Sequence, residues 1–371
     1  MKTGTYLKVA MVTALTAATV AVAPAAVSAV DGPAPAAPAW RTSLAGTLSD
    51  NSALSDVASV GPNSAWAVGS QYADGLRQGV ILRWDGRTWQ PQSAPGLPGT
   101  GVWHAVEAVS AHDVWAYGWG QDGEVLAHYD GKRWTQMPLP AEKGYGFAKL
   151  AAVPGKVWLV SDTAINSYAD GVWQSTPLDA GVFINAVEAR NSRDAWAVGQ
   201  FAHVGQPGRS VLMHWDGGSW TEAAPPGSDL RITAVHQESA RSVWVTALTP
   251  YVDGERQQTK VLHWNGVNWR DVTGPVDGLW ANAITGDGKG TVWVSGDPYG
   301  YEGTALYWRL RGGVWTSVEG DAVPGGKTQS YDIEALAPTG RTGQFWSVGG
   351  YGLITGESTS AQYELIQRST R

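Results

Sequence analysis

The sequence predicts an all-β fold, a seven-bladed β-propeller of four-stranded antiparallel blades with the last blade closed by the N-terminal strand. Three observations carry this. An apolar segment centred on Trp recurs seven times, about every 47 residues. Each copy is followed by a hairpin landmark, such as Trp84-Asp85-Gly86-Arg87-Thr88-Trp89. The seventh copy stops one strand short, and Trp40-Arg41-Thr42-Ser43 stands ahead of the first with the look of the missing strand.

The opening residues read as an address. Lys2 and Lys8 give a positive start, Val9 to Val22 is apolar, and Val27-Ser28-Ala29 is a small-x-small cleavage site. Residues 1–29 are therefore expected to be a secretory signal peptide, 30–38 an extended Pro/Ala leader and 39–371 the propeller. A membrane anchor fits less well, because the apolar run is short, broken by Pro24, and followed by no second span. The chain has no Cys, so an exported form draws its stability from its core and from ring closure.

Each unit then resolves into strands A to D. Strand A is seen in Ala105-Val106-Glu107-Ala108-Val109 and Ala186-Val187-Glu188-Ala189. Strand B carries the recurring Trp, as in Ala65-Trp66-Ala67-Val68-Gly69 and Ala195-Trp196-Ala197-Val198-Gly199. Strands C and D flank the landmark, where an Asp-Gly or Asn-Gly pair predicts a tight hairpin with positive φ at both central residues. The copy ending in Trp173 reads as one residue short, and that from Trp308 to Trp315 as degenerate.

Of 21 Trp, seven fall on strand B and seven on strand D. Four more (Trp84, Trp215, Trp264, Trp308) fall on strand C, where Tyr129, Tyr168 and Tyr363 stand in other blades. A sugar-stacking surface does not explain such regularity, whereas packing between sheets does. Each buried indole is worth on the order of 4–6 kcal/mol at ~25 cal/mol/Å² before entropy. Trp103, Trp119 and Trp280 escape the pattern, with Trp103 and Trp280 at nearly equivalent places before strand A.

In a propeller the D-to-A connections and B-to-C loops share one face, and the A-to-B and C-to-D turns share the other. The B-to-C loops differ in every blade while the turns repeat, so a ligand is expected on the loop face near the channel mouth. The residues expected to bind it are Trp103, His104, Trp119, Tyr145, Arg231, Tyr251, Trp280, Asn282, Tyr299, Tyr331 and Asp332. Aromatics interleaved with acids and amides suit a hydroxyl-rich ligand, although turns also favour Tyr, Asp and Gly for their own sake.

Catalysis has weaker support. Asp122, Glu124, Asp253, Glu255, Asp297, Glu302 and Asp332 qualify by location, but no spacing marks an opposed pair. His128, His214 and His263 share one strand-C position and read as structural, which leaves His104 and His203. No cofactor or metal site is expected, and no catalytic residue is assigned. The net charge of −7 and the lack of a basic run argue against nucleic acid and anionic membranes. The expected partner is a carbohydrate or an extracellular protein, bound by a secreted monomer. The alternatives are a polysaccharide-acting hydrolase or lyase and an extracellular scaffold.

The repeats Asp113-Val114-Trp115-Ala116-Tyr117-Gly118 and His214-Trp215-Asp216-Gly217-Gly218-Ser219-Trp220 resemble those of secreted actinobacterial β-propellers. More distantly, the Asp-Gly-x-x-Trp hairpin is similar to the Asp-box of sialidases. The resemblance spans nearly all of residues 39–371 and implies the fold. The arginine triad and Tyr/Glu pair of sialidases find no place here, so their activity is not implied.

Overall fold

A computed structural model describes residues 39–49, 51–141, 149–204, 208–227, 229–276, 278–298, 304–323, 328–354 and 360–370. The expected signal and leader, 1–38, and the candidates Tyr145 and Tyr299 lie outside the described residues. The remainder forms seven four-stranded antiparallel sheets.

Blade 1 comprises β2 (Ala53–Gly61), β3 (Ser64–Ala73), β4 (Leu76–Trp84) and β5 (Trp89–Pro91). Blade 2 is β6 (Thr100–Ser110), β7 (Asp113–Gly120), β8 (Gly123–Tyr129) and β9 (Trp134–Met137). Blade 3 is β10 (Lys149–Val153), β11 (Lys156–Val160), β12 (Ala164–Ala169) and β13 (Val172–Pro177). Blade 4 is β14 (Val182–Asn191), β15 (Asp194–Phe201), β16 (Arg209–Trp215) and β17 (Trp220–Glu222). Blade 5 is β18 (Arg231–Ser239), β19 (Ser242–Leu248), β20 (Thr259–Trp264) and β21 (Trp269–Asp271). Blade 6 is β22 (Leu279–Gly286), β23 (Thr291–Pro298), β24 (Leu306–Arg311) and β25 (Val314–Glu319). Blade 7 is β26 (Thr328–Pro338), β27 (Phe345–Ile354) and β28 (Ser360–Ser369), completed by β1 (Trp40–Ala45).

The closure is as expected, with Trp40 opposite Ser369 and Ala45 opposite Leu365. It is fastened further along. Glu364, fully buried, accepts hydrogen bonds from Thr47 N (2.6 Å), Leu48 N (3.0 Å) and Ser52 Oγ (2.6 Å), holding the β1–β2 connection against the last blade.

The core is not one mass. Hydrophobic clusters fill the spaces between neighbouring blades, as where Trp346 and Ile366 of blade 7 meet Trp84 and Trp89 of blade 1. All seven strand-B indoles are buried. Opposite them on strand C stands a cation or an imidazole in six blades. Arg368 lies 4.8 Å above Trp346, Arg83 5.5 Å above Trp66, and His263 stacks 3.9 Å from Trp244. In blade 3 Ser167 takes that place, and Lys156 covers Trp158 and Trp215 instead. The repeated strand-C histidines are thus part of this packing, in the place where other blades set an arginine, each Arg–indole pair being worth about 0.5–2 kcal/mol.

Backbone angles and register correct four sequence-level expectations. In the Asp-Gly and Asn-Gly landmarks of blades 1, 2, 4 and 5 only the glycines, such as Gly86 and Gly131, have positive φ. The Asp instead caps the turn, Asp85 Oδ1 accepting Arg87 N and Thr88 N. The copy ending in Trp173 has full length, Tyr168 pairing with Trp173. Its Asp-Gly is shifted by one, so Asp170 and Gly171 both take positive φ in a two-residue hairpin. Finally, the partners of the outer Trp in blades 6 and 7 are Leu310 and Ser369, not Trp308 and Tyr363, because those aromatics lie two and six residues earlier on strand C. The B-to-C connections of blades 1 and 2 are also tight, closing at Ala73–Leu76 and Gly120–Gly123.

One bulge recurs and explains the Gly of the strand-B motif. Between Ile184–Gly199 and Ala186–Val198 an extra residue, Asn185, is inserted, and the same insertion occurs in every blade but the third. A Cβ at Gly69, Gly199, Gly296 or Gly349 would collide with the strand-A carbonyl beside the bulge. Ala247 holds this place in blade 5. Bulges re-aim side chains, and here they aim them at the axis.

Candidate functional site

The seven strand-A segments enclose a central channel. Its half nearer the loop face has a volume of about 390 Å³ and its half nearer the turn face about 280 Å³, with Asp56, Glu107 and Val187 common to both. All six bulge residues, Ser55, His104, Asn185, Thr233, Asn282 and Glu334, line the first half, so the repeated distortion builds a polar ring.

The ring is not uniform. Asn185 Nδ2 donates to Ile232 O and Thr233 Oγ1 to Ala281 O, both at 2.6 Å, so two bulges tie their blade to the next. Asn282 departs from that pattern and hydrogen-bonds Asp297, the strand-B partner of Trp280. Oδ1 of each is buried without a hydrogen-bond partner. Burial, followed by the charges of Asp332 and Glu334, pushes the Asp297 carboxyl up to about 7. Burial also raises Asp332 and Glu334. Blades 6 and 7 therefore gather three carboxyl groups beside the exposed Trp280, one of them able to hold its proton near neutrality.

Further round, burial together with Lys149 and Arg77 draws His104 down to about 4, so it is neutral at physiological pH. Asp56 accepts Val57 N and Val106 N, each at 2.8 Å, yet burial outweighs these bonds and raises it to about 6. Deeper in the channel, burial and the charges of Asp56 and Glu188 hold Glu107 well above the carboxylate range. Glu188 Oε1 lies 3.1 Å from His236 Nδ1. Burial alone would lower His236, but Glu188, Glu238 and Asp287 outweigh it and raise its pKa.

The expected binding residues part company. His104, Arg231 and Asn282 meet in the channel wall, and Trp280 and Asp332 stand at its mouth. Trp119 is exposed at the end of β7 and Tyr251 in the B-to-C connection of blade 5. Trp103, 3% exposed, is packed between blades 1 and 2, and Tyr331 is fully buried 6.1 Å from Tyr351. The supposed equivalence of Trp103 and Trp280 fails by one residue. Trp103 pairs with Gly118 and Ala281 with the equivalent Gly296, so Trp280 projects to the other side of its sheet.

Sequence reading missed Asp56, Lys149, Glu188, His236 and Glu334 as channel residues. A signal existed. On an innermost strand every second position faces the axis, and charged residues among alanines at those positions mark a lining. Among the described residues no group of three or more His, Asp or Glu is arranged to hold a metal ion.

Fold and channel together define a seven-bladed β-propeller with its candidate site in and around the axial opening. The sequence matches no family model and no curated protein. Among solved structures it is similar to YCF48 from Cyanidioschyzon merolae, at 18% identity and a TM-score of 0.54, covering 89% of this chain and 98% of that one. It is also similar to the GH74 xyloglucanase of Xanthomonas campestris, at 14% identity and a TM-score of 0.56. That match covers 87% of this chain but only 55% of the xyloglucanase. At these identities the likeness is one of fold.

Proposed function

We propose that this chain is an exported, non-enzymatic binding protein that recognises a carbohydrate or a protein on its loop face. One observation carries the reading. Among the described residues the exposed Phe, Tyr and Trp side chains, Tyr72, Trp119, Phe183, Tyr251 and Trp280, all lie at the B-strand ends, in a B-to-C connection or at the entry of A strands, and the turn face has none. Ring faces stack on sugars or fill pockets on proteins, and exposing them without use is costly. Beside Trp280, the carboxyl groups of Asp297 and Asp332 offer hydrogen bonds to hydroxyls. Export is supported by the signal-like residues 1–29 and by the resemblance of the repeats to secreted actinobacterial propellers.

A glycan array with residues 30–371 tests the proposal. Specific binding that Trp280→Ala abolishes supports a saccharide ligand. Absence of glycan binding, with one defined extracellular protein captured through the same face, turns the reading to a protein ligand. If neither a glycan nor a protein binds in a Trp280- or Trp119-dependent way, the proposal fails.

A second reading has its own observation. Asp297 holds its proton near neutrality through burial and the charges of Asp332 and Glu334, as the general acid of a glycoside hydrolase must. Release of reducing ends from an array-positive glycan, lost in Asp297→Asn, would favour it.

A further inference from the structure

The turn face carries a concavity of its own. Between blades 4 and 5 a cleft of about 550 Å³ is walled by Arg190, Arg193, Trp196, His214, Trp264 and Gly266. That volume is within the range of small-ligand sites.

The repeat sets one arginine in the cleft wall and a second on the wall residue Gly266. The residue three before the strand-B Trp packs on the glycine of its own C-to-D turn, the Arg193 stem over Gly217 and the Arg241 stem over Gly266. Both glycines have positive φ, and a side chain at either would displace the arginine. The carboxylates of the cleft are already engaged. Asp194 accepts from Arg190 (2.8 Å) and Gln237 (2.7 Å) and lies 3.0 Å from His214. Asp216 accepts Gly218 N and Ser219 N within its own turn. Arg193 and Arg241 are exposed, and among the described residues only their backbone N–H groups are hydrogen-bonded.

An arginine in the cleft wall, Arg193, and a second, Arg241, standing on the wall glycine Gly266, neither with a side-chain hydrogen bond among the described residues, suit an oxyanion attached to an apolar-faced ring that packs on the Trp264 indole of the same wall. The chain as a whole, at −7, repels anions, so attraction must come from a local pair of charges. We propose that this cleft binds an acidic saccharide, its carboxylate or phosphate met by Arg193 and Arg241 and its ring packed on Trp264. The site is separate from the loop face and stands whether or not that face binds a ligand.

Calorimetric titration at low ionic strength with trigalacturonate, glucose 1-phosphate and neutral maltotriose tests it. At least one of the two anionic sugars should bind, which of them assigning the anion, and maltotriose should not. Arg193→Ala/Arg241→Ala should weaken binding at least tenfold, whereas Arg341→Ala, a cation on the blade 7 turn, should leave it unchanged. The pair Arg193→Gln/Arg241→Gln keeps stems over both glycines and must show the same loss with an unaltered melting temperature. Failure of both anionic sugars to bind, undiminished binding by the double variants, or an equal loss in Arg341→Ala would overturn the proposal.

Discussion

Replacing Trp40 by Ala probes the seam of the ring. Trp40 is fully buried, stacked on Tyr307 at 4.1 Å and edge-on to Trp293 at 5.2 Å. Its backbone carbonyl accepts Asp321 N at 2.9 Å, tying the outer strand of blade 7 to the end of blade 6. Truncating a buried Trp costs about 3–5 kcal/mol. Its indole N–H has no acceptor, so no orphaned partner adds to that cost. Unfolding entropy for a ring of this length is about 0.7 kcal/mol/K, so a loss of about 4 kcal/mol lowers Tm by about 6 °C. Trp134→Ala is the control, since Trp134 is 4% exposed at the same strand-D position of blade 2, away from the seam. Calorimetry should show similar falls for both variants. Hydrogen exchange should separate them, with amides of β1 and β28 exchanging faster only in Trp40→Ala, as the freed strand opens a sheet edge. A Tm change under 2 °C, or unchanged exchange in β28, would refute the claim that the N-terminal strand closes the ring.

Other outcomes follow from the same geometry. Asp297, raised in the fold to about 7, takes up a proton more readily folded than unfolded. Its favourable contribution is present at low pH and is lost as pH rises from about 4 to about 7. The raised His236 acts in the same direction. Asp297→Asn should therefore flatten the decline of Tm between pH 4 and 7 relative to the parent chain, and an unchanged slope would count against a buried, proton-holding Asp297. Trp103→Ala should cost about 3–5 kcal/mol in urea unfolding. Trp280→Ala should cost less than about 1 kcal/mol, and a reversal of that order would contradict the register of β6 and β22. Gly199→Ala should destabilise by about 1–3 kcal/mol, because its Cβ would meet the Phe183 carbonyl at the bulge. A neutral effect would mean that strand A relaxes there.

The repeat was readable because ring closure imposes one pattern on every blade. The strand-B and strand-D indoles, the blade count and the completing strand at Trp40 all announce themselves by recurrence. The candidate site was only partly readable. His104, Arg231, Asn282 and Asp332 could be named, because they precede or begin A strands in what is recognisably the axial end of each unit. Glu188 and His236 could not be joined, because they lie on different blades and only the packing of blade 4 against blade 5 brings them to 3.1 Å.

The sequence by itself determined the seven sheets, their order and the residues that pack between them, since periodic burial leaves a periodic trace. Tertiary structure alone decided which side chains reach the axis. A strand alternates its faces at every residue, so one inserted residue or a one-residue offset exchanges core for surface. That is why Trp103 is buried and Trp280 exposed, and why the bulge that recurs in six blades fills the channel with polar groups.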